Sequence, residues 1–363
     1  MKKKLLFSAY TLDVGGIETA LISLLDSLDY SKYEVTLVLE KRQGIFLDNL
    51  NKNVTLIEYA PNNSKNWIIR KFNNLIKRVE FILKYKNRFD FSASFATYSR
   101  AGSFVALTAS KNPVLWVHTD YSSLYNYAKM KEFFTKIKFN KFRKMIFVSN
   151  VSKENFIKVF PEKKDICLVC NNIIDPEKIL QQSNEEIEMK RTDVKTFLIL
   201  GRQTEEEKKL SRVIEVGAML KQENYNFRML FIGDGRDTER YKNIIKEKEL
   251  EDKIMFLGVK KNPFPYFKIS DAVLLTSDYE GFPVIYTEAM VLNVPIITTD
   301  VSDAKELIDG KYGMVTDKSI EDIFLKIKQF MNYGFKIKGS FNPEEYNNNI
   351  AKQLQKLFLK EDF

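Results

Sequence analysis

Apolar residues in this chain come in short runs, and each run is followed by a longer stretch in which they recur every three or four positions. The runs have the length of strands and the longer stretches have helical spacing. Lys4 to Tyr10 is the first run, and after Gly15-Gly16 a helical pattern reaches Leu28. Tyr33 to Glu40, Val54 to Glu58, Phe91 to Phe95, Pro113 to Val117 and Lys144 to Ser149 continue the series, with helical patterns filling the gaps. From Asn171 to Thr192 the chain is polar, rich in Glu and Gln, and without strand character. Beyond it the series restarts with Thr196 to Leu200, Phe227 to Ile232, Lys253 to Leu257, Asp271 to Thr276 and Val294 to Thr299. Asn342-Pro343-Glu344-Glu345 has the form of a helix start, and the helix it opens runs to Leu359. Strand and helix alternating in two blocks predict an α/β fold of two Rossmann-like domains, each a parallel sheet with helices on both faces. The predicted divisions are residues 1–172, residues 173–341 and a terminal helix at 342–363.

Candidate chemistry gathers at the ends of these predicted strands. In the segment Ser277 to Met290, Glu280 and Glu288 flank seven residues. Glu280 follows an apolar run directly, so it belongs at a strand's carboxyl end, where open α/β sheets bind ligands. Gly281, Phe282, Pro283 and Val284 lead into a helix start, where free N–H groups and the dipole favour an anion. Glu288 lies further along that helix, and a carboxylate there can accept hydrogen bonds from two neighbouring hydroxyls. The segment reads as a site for a sugar, a phosphate and a second sugar in a row, which describes a nucleotide-sugar. Gly201-Arg202 and then Lys208-Lys209 place basic groups at another strand end, suited to a diphosphate. Either lysine can be the one that points inward. Gly15-Gly16 follows the first strand, where missing side chains let a ligand approach the backbone. His118, the chain's single histidine, closes the run Pro113 to Val117 and points toward the interdomain cleft.

The form Glu280-Gly281-Phe282-Pro283, with Glu288-Ala289-Met290 after it, resembles the E-x7-E signature of retaining glycosyltransferases with the GT-B fold, in the large group called family 4 or group 1. Gly201-Arg202 with Lys208, Gly15-Gly16-Ile17-Glu18 and His118 stand where that family has its other landmarks, and bacterial capsule and exopolysaccharide glycosyltransferases are the members most resembled. Lys209 stands where the family usually has glycine. The resemblance implies that Glu280 holds the transferred sugar and that Glu288 holds the ribose. It implies that Arg202 and Lys208 neutralise the leaving diphosphate, and that His118 orients the sugar. Gly258 and Val259 would contact the base, and Gly15 and Gly16 would lie near the donor phosphate. It implies no cofactor beyond a nucleoside-diphosphate sugar, most simply a UDP-sugar, as substrate, and a glycan or polyprenyl-linked acceptor. It further implies that the terminal helix returns to the first domain. Asp-x-Asp occurs nowhere in the chain. That argues against the metal-dependent GT-A alternative, so no metal is expected. Two readings stand beside this one: a non-catalytic subunit of the same fold that stabilises a partner transferase, and a sugar-nucleotide epimerase.

Bulk properties refine the picture. A length of 363 residues suits two domains, and 44% hydrophobic with 29% charged residues fits a globular protein. The opening Met1 to Tyr10 imitates a signal peptide, but its apolar part is short and Asp13 and Glu18 follow at once, so it reads as the first strand. Cys167 and Cys170 imply no disulfide framework and read as packed thiols, which points to the cytoplasm. The net charge of +9 suggests an anionic partner. Between Lys65 and Arg88 eight basic residues meet one acid, Glu80, and apolar residues recur at helical spacing. Lys129 to Lys144 mixes Lys131, Lys136, Lys138, Lys141 and Arg143 with Phe133, Phe134, Phe139 and Phe142. In both, the stripe alone is explained by an ordinary surface helix with its apolar face in the core. The excess of basic charge beside aromatics fits an anionic membrane surface, on the inner face of the cell membrane. Nothing in the chain resembles a nucleic-acid recognition motif.

Overall fold

The computed structural model describes residues 2–13 and 15–359. The chain forms two compact units: residues up to Ile173 together with those from Glu344 on, and Ile174–Pro343. The first unit contains β1 (Lys3–Ala9), β2 (Tyr33–Leu39), β3 (Val54–Glu58), β4 (Phe91–Ser94), β5 (Pro113–Val117), β6 (Lys144–Phe147) and β7 (Cys167–Val169). The second contains β8 (Lys195–Leu200), β9 (Phe227–Ile232), β10 (Ile254–Gly258), β11 (Ala272–Leu275), β12 (Ile296–Thr299) and β13 (Gly313–Thr316). The sheet orders are β3-β2-β1-β4-β5-β6-β7 and β10-β9-β8-β11-β12-β13, with every pairing parallel.

Each order turns back on itself once, between β1 and β4 and between β8 and β11. These are the topological switch points, where loops leaving neighbouring strands diverge and open a crevice. The loops that carry Arg202, Lys208 and Glu280 leave β8 and β11, the two strands at the second switch point.

Parallel strands covered by helices are apolar throughout, because both faces are buried. In the second unit Phe197 and Ile199 of β8 belong to one buried cluster, and Leu198 to the other. The helix Pro343–Leu359 completes the first unit. Its Phe358 ring packs against Phe7, Tyr33 and Phe91, and Tyr346 donates to the carbonyl of Asn172 at 3.0 Å.

Three elements depart from the pattern reading. The polar stretch after Asn171 contains a helix, Pro176–Gln182, started by Asp175, whose carboxylate accepts from the Lys178 N–H. Only Ile179 of that helix is buried, so it lacks an apolar period. Strand β13 lies outside the pattern, because it is four residues long and opens on glycine. The third departure is the helix Trp67–Tyr85. Its periodicity predicts an apolar stripe in the core, yet Phe81 is its one buried residue. By contrast, Met130, Phe134, Phe139 and Phe142 of the second basic segment do lie in a core. Among the described residues no helix is long and apolar enough to cross a membrane.

Candidate active site

The second unit builds its site from glycine-shaped loops. Gly201 follows β8 directly, and its φ of +148° suits glycine alone. Its N–H donates to Ile232 of the neighbouring strand at 3.0 Å. Gly233, with φ +129°, follows β9 so closely behind this loop that a Cβ there would lie 2.0 Å from the Gly201 carbonyl oxygen. The two loops are thus pressed backbone to backbone, which sets the path of residues 201–209.

Lys209 ends that path in the left-handed region, at φ +50°, directly before the helix Leu210–Gln222. A residue with a Cβ adopts this conformation at a cost that glycine avoids. The turn therefore accounts for the glycine common at this position in the resembled family, and it sends the two lysines in different directions. Lys208 Nζ lies 2.6 Å from Glu280 Oε1 and 3.1 Å from Glu207 Oε1. Lys209 Nζ lies 3.5 Å from Asp278 Oδ2, and Arg212 holds the other oxygen of Asp278 at 2.7 Å. Of the two candidates, Lys208 is the one on Glu280. Burial pulls the Lys208 ammonium down, but Glu280 and Glu207 outweigh it and hold it above its ordinary value.

Glu280 is fixed from a second side, because the Ser277 hydroxyl donates to the same Oε1 at 2.7 Å. Its loop is tied down at both ends. Thr276 donates to the carbonyls of Lys208 and Lys209, and Ser302 donates to the carbonyl of Gly281 at 2.7 Å. Phe282 is buried, and the helix Val284–Val291 begins after Pro283 with no side chain capping its first N–H groups. An uncapped helix start next to an anchored carboxylate offers donors to an anion and an acceptor to hydroxyls.

Glu288 lies on that helix and does not join the cluster. It is 8% exposed. Burial alone pushes its carboxyl up to about 7. Arg202 is exposed and makes no ion pair among the described residues, so its five donors are unspent. Gly258 has φ +67° and Val259 is exposed at the end of β10.

In the first unit, His118 follows β5 and is buried against the Phe95 ring, 4.4 Å between centroids. Its Nε2 has no hydrogen-bond partner among the described residues. Burial pushes it down to about 3, so the ring is neutral at physiological pH. A neutral imidazole with an unengaged buried nitrogen can donate or accept one hydrogen bond but brings no formal charge. Gly15 precedes the helix Gly16–Asp26 with an extended backbone, φ −177°, that any residue can adopt. The lack of a side chain, not the backbone angle, is what glycine contributes there.

Several groups around Glu280 were not singled out from the sequence. Ser277 and Asp278 lie in the same segment, and their position after β11 was the available signal. Gln203 Oε1 and Thr204 Oγ1, between Arg202 and Lys208, are buried without partners among the described residues. No pattern marks them, since their burial comes from the loop's path.

A family model, that of the glycosyl transferases of group 1, matches residues 181–354. Over this segment the chain is similar to that family. The match covers Arg202, Lys208, Glu280 and Glu288, and agrees with the resemblance read from those residues. An N-acetylgalactosamine-N,N'-diacetylbacillosaminyl-diphospho-undecaprenol 4-alpha-N-acetylgalactosaminyltransferase of Campylobacter jejuni is 25% identical to this chain over 336 residues, 88% of this chain and 87% of its own. An uncharacterized glycosyltransferase of Methanocaldococcus jannaschii is 25% identical over 286 residues, 70% of each chain. Among solved structures, Anabaena HepE in complex with UDP and glucose aligns with a TM-score of 0.77. The alignment covers 97% of this chain and 99% of that one at 16% identity, a likeness of fold. The chain thus has the two parallel-sheet, Rossmann-like domains of the GT-B fold.

Proposed function

We propose that this protein is a glycosyl transferase that moves a hexose-type sugar from a nucleoside-diphosphate sugar to a glycan or lipid-linked acceptor, with retention of anomeric configuration and without a metal, in cell-surface polysaccharide synthesis. The observation that carries the reading is the Lys208–Glu280–Ser277 cluster at a switch point, beside an uncapped helix start. In this reading the diphosphate lies against the Val284 end of that helix, within reach of Lys208 and the unpaired Arg202. Glu280 accepts from hydroxyls of the transferred sugar and faces the positive character that develops at the anomeric carbon. The bond from that carbon to the diphosphate oxygen breaks, and its electron pair leaves with the diphosphate. Lys208 and Arg202 meet the negative charge that appears there. The acceptor oxygen forms the new bond on the face just vacated, and its proton passes to a diphosphate oxygen. His118, neutral, donates to a sugar hydroxyl and orients the ring. Glu288 takes the ribose hydroxyls, with Gly258 and Val259 at the base.

Two likenesses support the substrate classes. HepE was crystallised with UDP and glucose, and the Campylobacter jejuni relative is named for transfer to a diphospho-undecaprenol-linked saccharide. A lipid-linked acceptor would keep the enzyme at the cytoplasmic face of a membrane.

The test is a melting-temperature screen of the purified protein against UDP, GDP and ADP in the presence of a chelator, followed by Glu280→Gln. A ligand that binds only the folded state raises the melting temperature. UDP is expected to give the clearest shift. Glu280→Gln should still bind UDP while losing transfer by at least about a hundredfold, the scale of one removed transition-state contact. Transfer at the wild-type rate in Glu280→Gln would refute the mechanism. Absence of a shift with any nucleotide would favour the non-catalytic subunit.

A further inference from the structure

The helix Trp67–Tyr85 is mounted the wrong way round for an ordinary surface helix. Ile68, Phe72, Leu75, Ile76, Val79 and Leu83 form one stripe, and all of them are exposed; Phe72 is 62% and Leu83 76% open to solvent. The side that faces the unit is largely polar. Asn74 accepts from the Asn62 N–H at 2.6 Å and donates to the Asn62 carbonyl at 3.2 Å. Lys77 Nζ donates to the Ala60 carbonyl at 2.7 Å. Arg78 sits over the Phe104 ring, 5.5 Å from its centroid, and Phe81 packs on Tyr59, Tyr85 and Phe104. These contacts clasp the helix to the chain before it and turn its apolar stripe outward.

Monomeric globular proteins rarely leave so continuous an apolar stripe in water, and one rimmed by charge marks a contact surface. The rim here is basic: Lys65, Arg70, Lys71, Lys84, Lys86 and Arg88 are exposed, and Glu80 is the only acid between Lys65 and Arg88. An apolar stripe flanked by cations is complementary to a bilayer whose headgroups are anionic, since the stripe enters the acyl boundary and the cations stay at the phosphates. We infer that this helix is a membrane-docking element that lies in the plane of an anionic bilayer, with Phe72, Leu75, Val79 and Leu83 buried in it. Lys77 and Arg78, though basic, belong to the clasp and position the helix. The inference deepens the proposed reading of an acceptor held at a membrane, on which it rests for its biological sense.

The experiment uses the full chain and a Phe72→Ser, Leu75→Ser, Val79→Ser variant, with vesicles of phosphatidylglycerol and phosphatidylcholine or of phosphatidylcholine alone. The wild type should sediment with the anionic vesicles, and the variant should partition at least about tenfold less, since several apolar side chains leave the bilayer. Trp67 is 62% exposed while Trp116, the only other tryptophan, is buried, so a shift of emission to shorter wavelength on adding vesicles reports Trp67 entering the interface. Equal sedimentation of wild type and variant, or unchanged Trp67 emission, would overturn the inference. So would a wild-type dimer, seen by ultracentrifugation and absent in the variant, in a protein that ignores vesicles; the stripe would then be an interface between copies. The UDP melting shift of the variant separates the two readings. It should match the wild type, and its absence from both proteins would count against the donor site and leave the vesicle result standing.

Discussion

Two segments of the first unit look alike in sequence and end in opposite surroundings. Lys65 to Arg88 and Lys129 to Lys144 each interleave basic residues with aromatic and aliphatic ones at helical spacing. In the second, Phe134 is fully buried among Tyr121, Phe133, Phe139, Phe156 and Phe160, and its lysines lie on the outside. There the helix Tyr127–Lys136 is an ordinary amphipathic element, its charges paired locally, as Lys136 is with Glu132. In the first, the apolar residues are outside and the side chains that hold the helix are Asn74, Lys77, Arg78 and Phe81. Periodicity says that a helix has an apolar face; it does not say what lies against that face. What differs is the partner surface. The second segment runs beside β5 and β6 and the helix Asn150–Val159, which supply Leu115, Val117, Phe147 and Phe156 as apolar neighbours. The first meets the 59–62 stretch through hydrogen bonds to backbone groups.

Mutations at matched positions sharpen the contrast. The largest effect is expected for Phe134→Ala, which should destabilise the first unit by about 3–5 kcal/mol through the cavity it leaves, read from urea unfolding followed by circular dichroism. Asn74→Ala removes a reciprocal pair of hydrogen bonds to Asn62 and should cost roughly 1–2 kcal/mol. Its distinguishing mark is faster amide exchange along Trp67–Tyr85 with the rest of the unit unchanged. Phe72→Ser should alter stability by no more than about 0.5 kcal/mol, as for a surface site without packing. A cost for Phe72→Ser close to that of Phe134→Ala would mean the stripe is packed in solution, and the contrast between the two helices would fall.

Much of the second unit was legible. Its β8 to β12 end on glycine, aspartate or the Glu280 loop, and turn residues at strand ends are a local signal that survives folding. The pairing of Glu280 with Lys208 was half legible. Both residues were named, but which lysine turns inward depends on the left-handed backbone at Lys209, and no side-chain pattern encodes that angle. Ser277 was illegible for a simpler reason: a serine after a strand has many uses, and only the 2.7 Å bond to Glu280 selects one. β13 and the helix Pro176–Gln182 escaped because each is short and buries few side chains in a repeating pattern. The first unit offered fewer signals still, with His118 and Gly15-Gly16 at two strand ends and little between.

The place of the helix Pro343–Leu359 bears on how the chain is made. Phe358 closes the ring cluster with Phe7, Tyr33 and Phe91, so the unit that opens the sequence lacks a wall until residues near the other end are available. The unit Ile174–Pro343 is continuous in sequence and has no such wait. During synthesis, where domains generally form as units in the order they emerge, the usual order is inverted: the half that leaves the ribosome first is the half completed last. Until then part of its core stands open.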